Sequence, residues 1–295
     1  MTKHAISDAF MDQFLSETGK HNQILSYVQN DDTLDMELRG NYVSIYYRGG
    51  KILKINEDGK IETLDKKYLT GESSLPDPAK ESDKYFPEAK HQIDVYVRKK
   101  RNHLGEKEIQ QLVVKENNYS CNSSDTDYFV IDMEYEGKKG RFDLVALRWD
   151  ATSSERQAKS LFVPTLTVIE VKQGYETIGG GESSLSQHYK DFSNFMDETD
   201  KKEFKEDMLM VFRQKRRLGL IDDFELDDKL AGHYKDVTQC SQDIKFVALL
   251  ANYKEKSTAL KEELKKIGSC DVFRSHYMGY GLYESKIEKL TSTSL

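Results

Sequence analysis

Three cysteines, four prolines and one tryptophan are all that 295 residues hold of these types. Cys121, Cys240 and Cys270 are odd in number and widely separated, which excludes a disulfide framework and a CxxC metal site. That usage predicts a reducing cytoplasm. Long apolar runs are also missing. The strongest, Phe246-Val247-Ala248-Leu249-Leu250-Ala251, is far short of the roughly 20 residues a membrane helix needs. The stretch Met1 to Asp8 lacks the apolar core of a signal peptide. The expectation is a cytoplasmic protein with no membrane partner. The seven histidines show no HxH or HExxH spacing, so a zinc hydrolase is not indicated. No Gly-x-Ser-x-Gly elbow or Rossmann fingerprint appears. The Gly179-Gly180-Gly181 run lacks the Lys-Ser/Thr of a phosphate-binding loop and is expected to border a cleft instead.

What is present is charge: 32% of the residues are charged, with a net −7. That balance counts against a protein that coats nucleic acid by charge alone. It leaves room for an enzyme with local basic patches. Two exist, Arg98-Lys99-Lys100-Arg101 and Arg213-Gln214-Lys215-Arg216-Arg217, each read first as a solvated helix end or loop.

The hydrophobic periodicity predicts helix over 5–29, with Ser7 as N-cap. Short strands follow at 34–39, 42–48, 51–56 and 60–64. Gly40-Asn41, Gly49-Gly50 and Asp58-Gly59 separate them as turn residues. Tyr42, Tyr46 and Tyr47 are expected to pack this meander rather than to stack on bases. Three of the four prolines fall in 66–91, which reads as a linker, and 92–98 reads as a strand. This divides the chain into an accessory region, 1–90, and a main domain, 91–295. Within the latter the pattern predicts a helix at 103–116, then strands at 128–135, 141–149 and 161–172, with turn residues at 136–140 and a polar loop at 150–160. Helices follow from 184 and over 200–218, then a strand at 243–253, a helix at 255–267, and strands at 270–277 and 280–284.

The most informative stretch is Leu166-Thr167-Val168-Ile169-Glu170-Val171-Lys172-Gln173-Gly174. A strand's side chains alternate with period two, so Glu170 and Lys172 share a face. Buried charges at a strand end are costly unless they pair or hold a metal. A second acid, Asp143, opens the apolar run Phe142-Asp143-Leu144-Val145-Ala146-Leu147. Glu-x-Lys alone is weak, since it recurs at Glu203, Glu263 and Glu284. Only the copy at 170–172 is expected in a strand.

The order α-β-β-β-α-β, with Asp143 on the second strand and Glu170-Val171-Lys172 on the third, resembles the PD-(D/E)xK nuclease superfamily over about residues 100–255. The resemblance implies an α/β (α+β) fold: a restriction-endonuclease-like core, its central mixed β-sheet flanked by helices, beside the small N-terminal β-rich domain. It further implies a metal-dependent endonuclease acting on nucleic acid, DNA first, and a homodimer as in many relatives. Asp143, Glu170 and the Val171 carbonyl would hold Mg²⁺, with Mn²⁺ as a substitute. Lys172 would orient or deprotonate the attacking water or stabilise developing charge, helped by a pKa lowered through metal and burial. Relatives add a Glu from the first helix. Here Glu106 and Glu108 are the candidates, with Glu106 better placed to look inward. Many also carry Gln followed four residues later by Tyr. Gln187 matches, but position 191 is Asp, and His188 and Tyr189 are weaker substitutes. The competing expectation is a catalytically inactive nuclease-like module for binding or assembly.

Overall fold

The computed structural model describes residues 3–69, 75–99, 105–119, 125–137, 140–151, 163–174, 178–197, 201–221, 240–253, 257–275 and 279–294. Cys121, Lys100 and Arg101, the helix start at 103–104, turn residues 138–139 and most of the 150–160 loop lie outside them.

Two sheets organise the described residues. The first is the antiparallel meander β1 (Leu34–Leu38), β2 (Tyr42–Tyr47), β3 (Gly50–Asn56) and β4 (Ile61–Glu62), in sequential order. The second is a mixed six-stranded sheet of β5 (Tyr128–Gly137), β6 (Gly140–Arg148), β7 (Thr165–Gln173), β8 (Lys245–Ala251), β9 (Ser269–Ser275) and β10 (Glu288–Thr291). Its spatial order is β10-β9-β8-β7-β6-β5. The β7-β8 and β8-β9 pairs are parallel and the rest antiparallel.

Seven helices accompany them among the described residues: α1 (Asp8–Leu15), α2 (Asn22–Gln29), α3 (Ser82–Lys99), α4 (Glu106–Asn118), α5 (Leu185–Asp197), α6 (Lys201–Arg217) and α7 (Thr258–Ile267). Alternation along the strands splits the large sheet into two faces. Ile169, Val171, Leu144 and Ala146 pack with Ile109 and Val113 of α4. Val168, Val145 and Leu147 belong to the other cluster, with Phe192 of α5, Phe212 of α6 and Leu264 of α7. That second cluster also takes in Phe10, Phe14, Met36 and Ile45, so one apolar body joins the meander and its helices to the large sheet.

Four expectations of secondary structure are corrected. The helix expected over 5–29 is two helices. Ser7 does cap the first, its Oγ accepting from Phe10 N at 3.1 Å. The chain then turns at Gly19, where a Cβ would collide with the Gln13 carbonyl oxygen.

From Ser82 onward the linker expected at 66–91, and the whole of the strand expected at 92–98, give way to α3. Its Tyr85, Phe86, Ala89 and Ile93 form a buried helical stripe that outweighs the missing amide of Pro87. The alternation at Gln92–Arg98 was misleading because a short apolar run fits either period.

The strand expected at 280–284 is irregular, and the last strand lies at Glu288–Thr291 instead. Tyr280 and Leu282 are buried, but their segment bonds to side chains and a neighbouring turn. Leu282 N donates to Asn117 Oδ1 at 2.9 Å, and its carbonyl accepts from Asp127 N at 2.8 Å.

A buried ionic network fastens the meander to the large sheet. Lys215, from the second basic patch, is fully enclosed with its Nζ 2.8 Å from Glu37 Oε1 of β1. Arg39 reaches Asp132 of β5 at 2.5 Å and donates to the Met133 carbonyl. His4 Nδ1 lies 2.5 Å from the other Asp132 oxygen. Arg39 and His4 together hold the Asp132 carboxyl well below its ordinary pKa against the opposing effect of burial. Lys215 is thus a core residue rather than a solvated one. Of the meander tyrosines, Tyr46 and Tyr47 pack against the apolar clusters, Tyr47 OH also bonding Asp94 at 3.2 Å, while the Tyr42 ring carries Lys54 Nζ at 4.5 Å.

Candidate active site

The β6-β7 ladder runs from Arg148 opposite Thr165 to Leu144 opposite Ile169. One step beyond, the same register sets Asp143 against Glu170. There Asp143 Oδ2 accepts from Val171 N at 2.7 Å. Asp143 continues the face of Val145 and Leu147, and Glu170 and Lys172 continue that of Leu166 and Val168. The three charges therefore meet on one side of the sheet. Of the Glu-x-Lys spacings at 170, 203, 263 and 284, only the first lies in a strand. The other three fall on α6, on α7 and in a short 3₁₀ turn at Glu284–Lys286, a further copy at Glu88 lies on α3, and Glu136 stands at the end of β5.

Lys172 Nζ lies 2.6 Å from Glu170 Oε1, and both side chains are almost wholly buried. Burial first, then repulsion from Glu170 and Glu106, holds the Asp143 carboxyl well above its usual pKa. Burial likewise pushes Glu170 up to about 7, against the pull of Lys172. Burial alone would lower the Lys172 pKa. Glu170, Glu106 and Asp143 outweigh it and hold the amine above its ordinary value. With these three acids facing it, the Lys172 amine is held in its charged form, which suits it to stabilising negative charge.

The structure separates the two helix acids. Glu106, in the first turn of α4, accepts from the Gln173 amide and feels Lys172, so it belongs to the cluster. Glu108 turns to the meander, where Arg48 Nε donates to its Oε1 at 2.6 Å. Gln187 of α5 borders the same cleft, and its amide donates to Asp191 Oδ1 at 2.7 Å. Tyr189 packs its ring edge against Phe246.

Three neighbours were undervalued or missed by sequence reading. His188 Nε2 lies 3.2 Å from Glu170 Oε1. Burial, then Lys172, lowers its pKa to about 4, so the ring is neutral at pH 7. Glu134 has φ +59°, sits at a β5 irregularity, and binds Lys107 at 2.6 Å. Arg141 is exposed on the cleft wall. His188 follows Gln187 and Arg141 stands two residues before Asp143, signals too common in a charged chain to single them out, and Glu134 carried no such signal.

The cleft over Asp143 and Glu170 has a volume of about 770 Å³, and Glu182 and Ser183, which follow the glycine run, border it. Among the described residues no three His, Cys, Asp or Glu side chains form a ready metal-ligand group. The Asp143–Glu170 pair nonetheless fits a hard divalent cation. Its donors are oxygens, and each carboxyl resists ionisation because it is buried beside another acid. Mg²⁺ needs only one or two carboxylates, taking its other ligands from water and phosphate. Comparison of this chain with family models, with curated proteins and with solved structures found no match.

Proposed function

We propose that this chain is a metal-dependent nuclease with a restriction-endonuclease-like core, hydrolysing phosphodiester bonds in DNA. One observation carries the reading: Asp143, Glu170 and Lys172 converge on one face where β6 and β7 end their ladder, beneath a large cleft. Asp143, Glu170 and the Val171 carbonyl would hold Mg²⁺. When bound, the ion supplies Lewis-acid charge neutralisation and a more acidic water.

The chain's own groups do the rest. The Lys172 ammonium stabilises charge building on the phosphoryl oxygens, a role that gains strength in a desolvated site. Glu106 holds that ammonium toward the carboxylates, and neutral His188 steadies the Glu170 oxygen that Lys172 shares. Arg141 offers a guanidinium to a backbone phosphate along the cleft wall.

The test is a Mg²⁺- and Mn²⁺-dependent cleavage assay on single-stranded, duplex and branched DNA and on RNA. Wild type is expected to cut at least one DNA substrate, and Lys172→Ala none. Absence of both cleavage and Mn²⁺ binding by wild type overturns the proposal; cleavage of RNA alone overturns its choice of DNA.

A further inference from the structure

The basic run at the end of α3 takes no part in the charge cluster above. Arg98 and Lys99 close the last turn of that helix, both exposed, and among the described residues neither pairs with an acid. A helix C-terminus favours cations on its own account. Here a pair of half-buried tyrosines stands beside them. Tyr96 lies one turn before Lys99 on the same helix face and meets Tyr68 edge to face, ring centres 4.9 Å apart. Tyr68 belongs to the 3₁₀ turn Lys66–Tyr68, which brings two more exposed lysines. Lys67 Nζ lies 4.7 Å from the centre of the Tyr68 ring. Asp65 is 3.7 Å from Lys67, but both side chains are more than half exposed, and solvent weakens such a contact. Partly exposed rings set among lysine and arginine side chains stand out in a chain of net charge −7.

The patch lies within reach of the candidate active site. Arg48 ties α3 to the first turn of α4, binding Asp94 at 2.8 Å and Glu108 at 2.6 Å. Lys107, in the same turn of α4, binds Glu134 on the cleft rim at 2.6 Å. Glu106, one residue before, belongs to the charge cluster. Lys99 and Glu106 are seven positions apart in the chain. Their Cα atoms therefore lie at most about 25 Å from one another. Single-strand grooves hold about 4–16 nucleotides, enough to join patch and cleft.

We propose that this patch holds single-stranded DNA beside the cleft, its bases against Tyr68 and Tyr96 and its phosphates on Lys66, Lys67, Arg98 and Lys99. Stacking on a side chain needs an unpaired base, whereas cations alone take duplex and single strand alike. An acidic peptide suits the cations but offers nothing planar to the rings. The choice of DNA and its passage to the cleft rest on the nuclease reading; binding at the patch does not.

The test is fluorescence anisotropy of a labelled oligothymidylate of about 12 nucleotides with the full chain in EDTA, where binding is read without cleavage. Arg98→Gln combined with Lys99→Gln, both at exposed positions, is expected to weaken binding. It should also flatten the slope of log affinity against log salt by about 1.4, the share of two phosphate contacts. Tyr68→Leu keeps an apolar side chain and is expected to weaken binding about fivefold or more with the salt slope unchanged. Duplex of the same length and polyglutamate are expected to bind at least about tenfold more weakly than the single strand. No anisotropy change below about 100 μM protein overturns the proposal. So does an unchanged affinity and salt slope in the Arg98→Gln, Lys99→Gln variant, an unchanged affinity in Tyr68→Leu, or duplex or polyglutamate binding as tightly as the single strand. Binding in EDTA without cleavage in Mg²⁺ supports the patch and counts against the nuclease reading; cleavage without binding does the reverse.

Discussion

Lys215→Met removes the cation of the fully buried pair with Glu37 while keeping the side chain's length and much of its packing. Both partners are wholly enclosed and 2.8 Å apart. The remaining cation near Glu37 is Arg39, 3.5 Å away and already committed to Asp132 at 2.5 Å. Asp35 and Asp132 add repulsion to the burial that already holds the Glu37 pKa well above normal. Breaking such a pair on one side typically costs about 3–5 kcal/mol, because a buried charge is left uncompensated. Against a total stability of roughly 5–15 kcal/mol, that is a large share.

The cost should also depend on pH. Without Lys215, Glu37 takes up a proton more readily in the fold than in the unfolded chain. An acid whose folded pKa is raised loses stability as pH climbs from the unfolded toward the folded value. The variant is therefore expected to be hurt less at pH 5 than at pH 8. Urea unfolding at the two pH values, with the slope checked for constancy, measures both effects. Adding Glu37→Gln to Lys215→Met should recover at least half of the loss, since it removes the stranded charge. A loss below about 1 kcal/mol, the range of an exposed pair, with no pH dependence, would refute the reasoning.

Asp143→Asn relieves repulsion among Asp143, Glu170 and Glu106 and keeps an acceptor for the Val171 amide. It should therefore leave the fold as stable or more so, by about 1 kcal/mol, while Mg²⁺-dependent cleavage disappears. Thermal unfolding and the cleavage assay together check this. Buried His21 has neither ring nitrogen partnered, and burial, then Lys20, lowers its pKa from 6.5 to about 4. A base with a lowered folded pKa gives stability present above the unfolded value and lost as pH falls toward the folded one. Wild type should thus lose up to about 3 kcal/mol between pH 6.5 and 4 through this residue, and His21→Phe should lose less across that window. Gly19→Ala, forced against the Gln13 carbonyl, is expected to cost about 1–3 kcal/mol in a denaturant titration.

The strands β5 to β9 of the large sheet and the place of Glu170 and Lys172 on a common face were readable from sequence, because side-chain alternation in a strand is a local property. So was the Ser7 cap, which depends on a hydroxyl three residues before the amide it accepts from. The helix at Ser82–Lys99 was not, because proline content and a short ambiguous run masked a stripe whose value comes from burial. The helical pattern favoured Glu106 over Glu108 without deciding between them. Both lie in the first turn of one helix, and only the approach of Arg48 to one and Gln173 to the other separates them.

By itself, then, the sequence determined which residues could carry charge into a strand and which strands those were. Tertiary structure decided which charges meet. It gathered Asp143, Glu170, Lys172 and Glu106 at the end of a β-ladder and added His188 from α5. It also turned Lys215 inward. Electrostatic energy in a protein depends on separation and desolvation, and neither quantity exists until the chain has closed on itself.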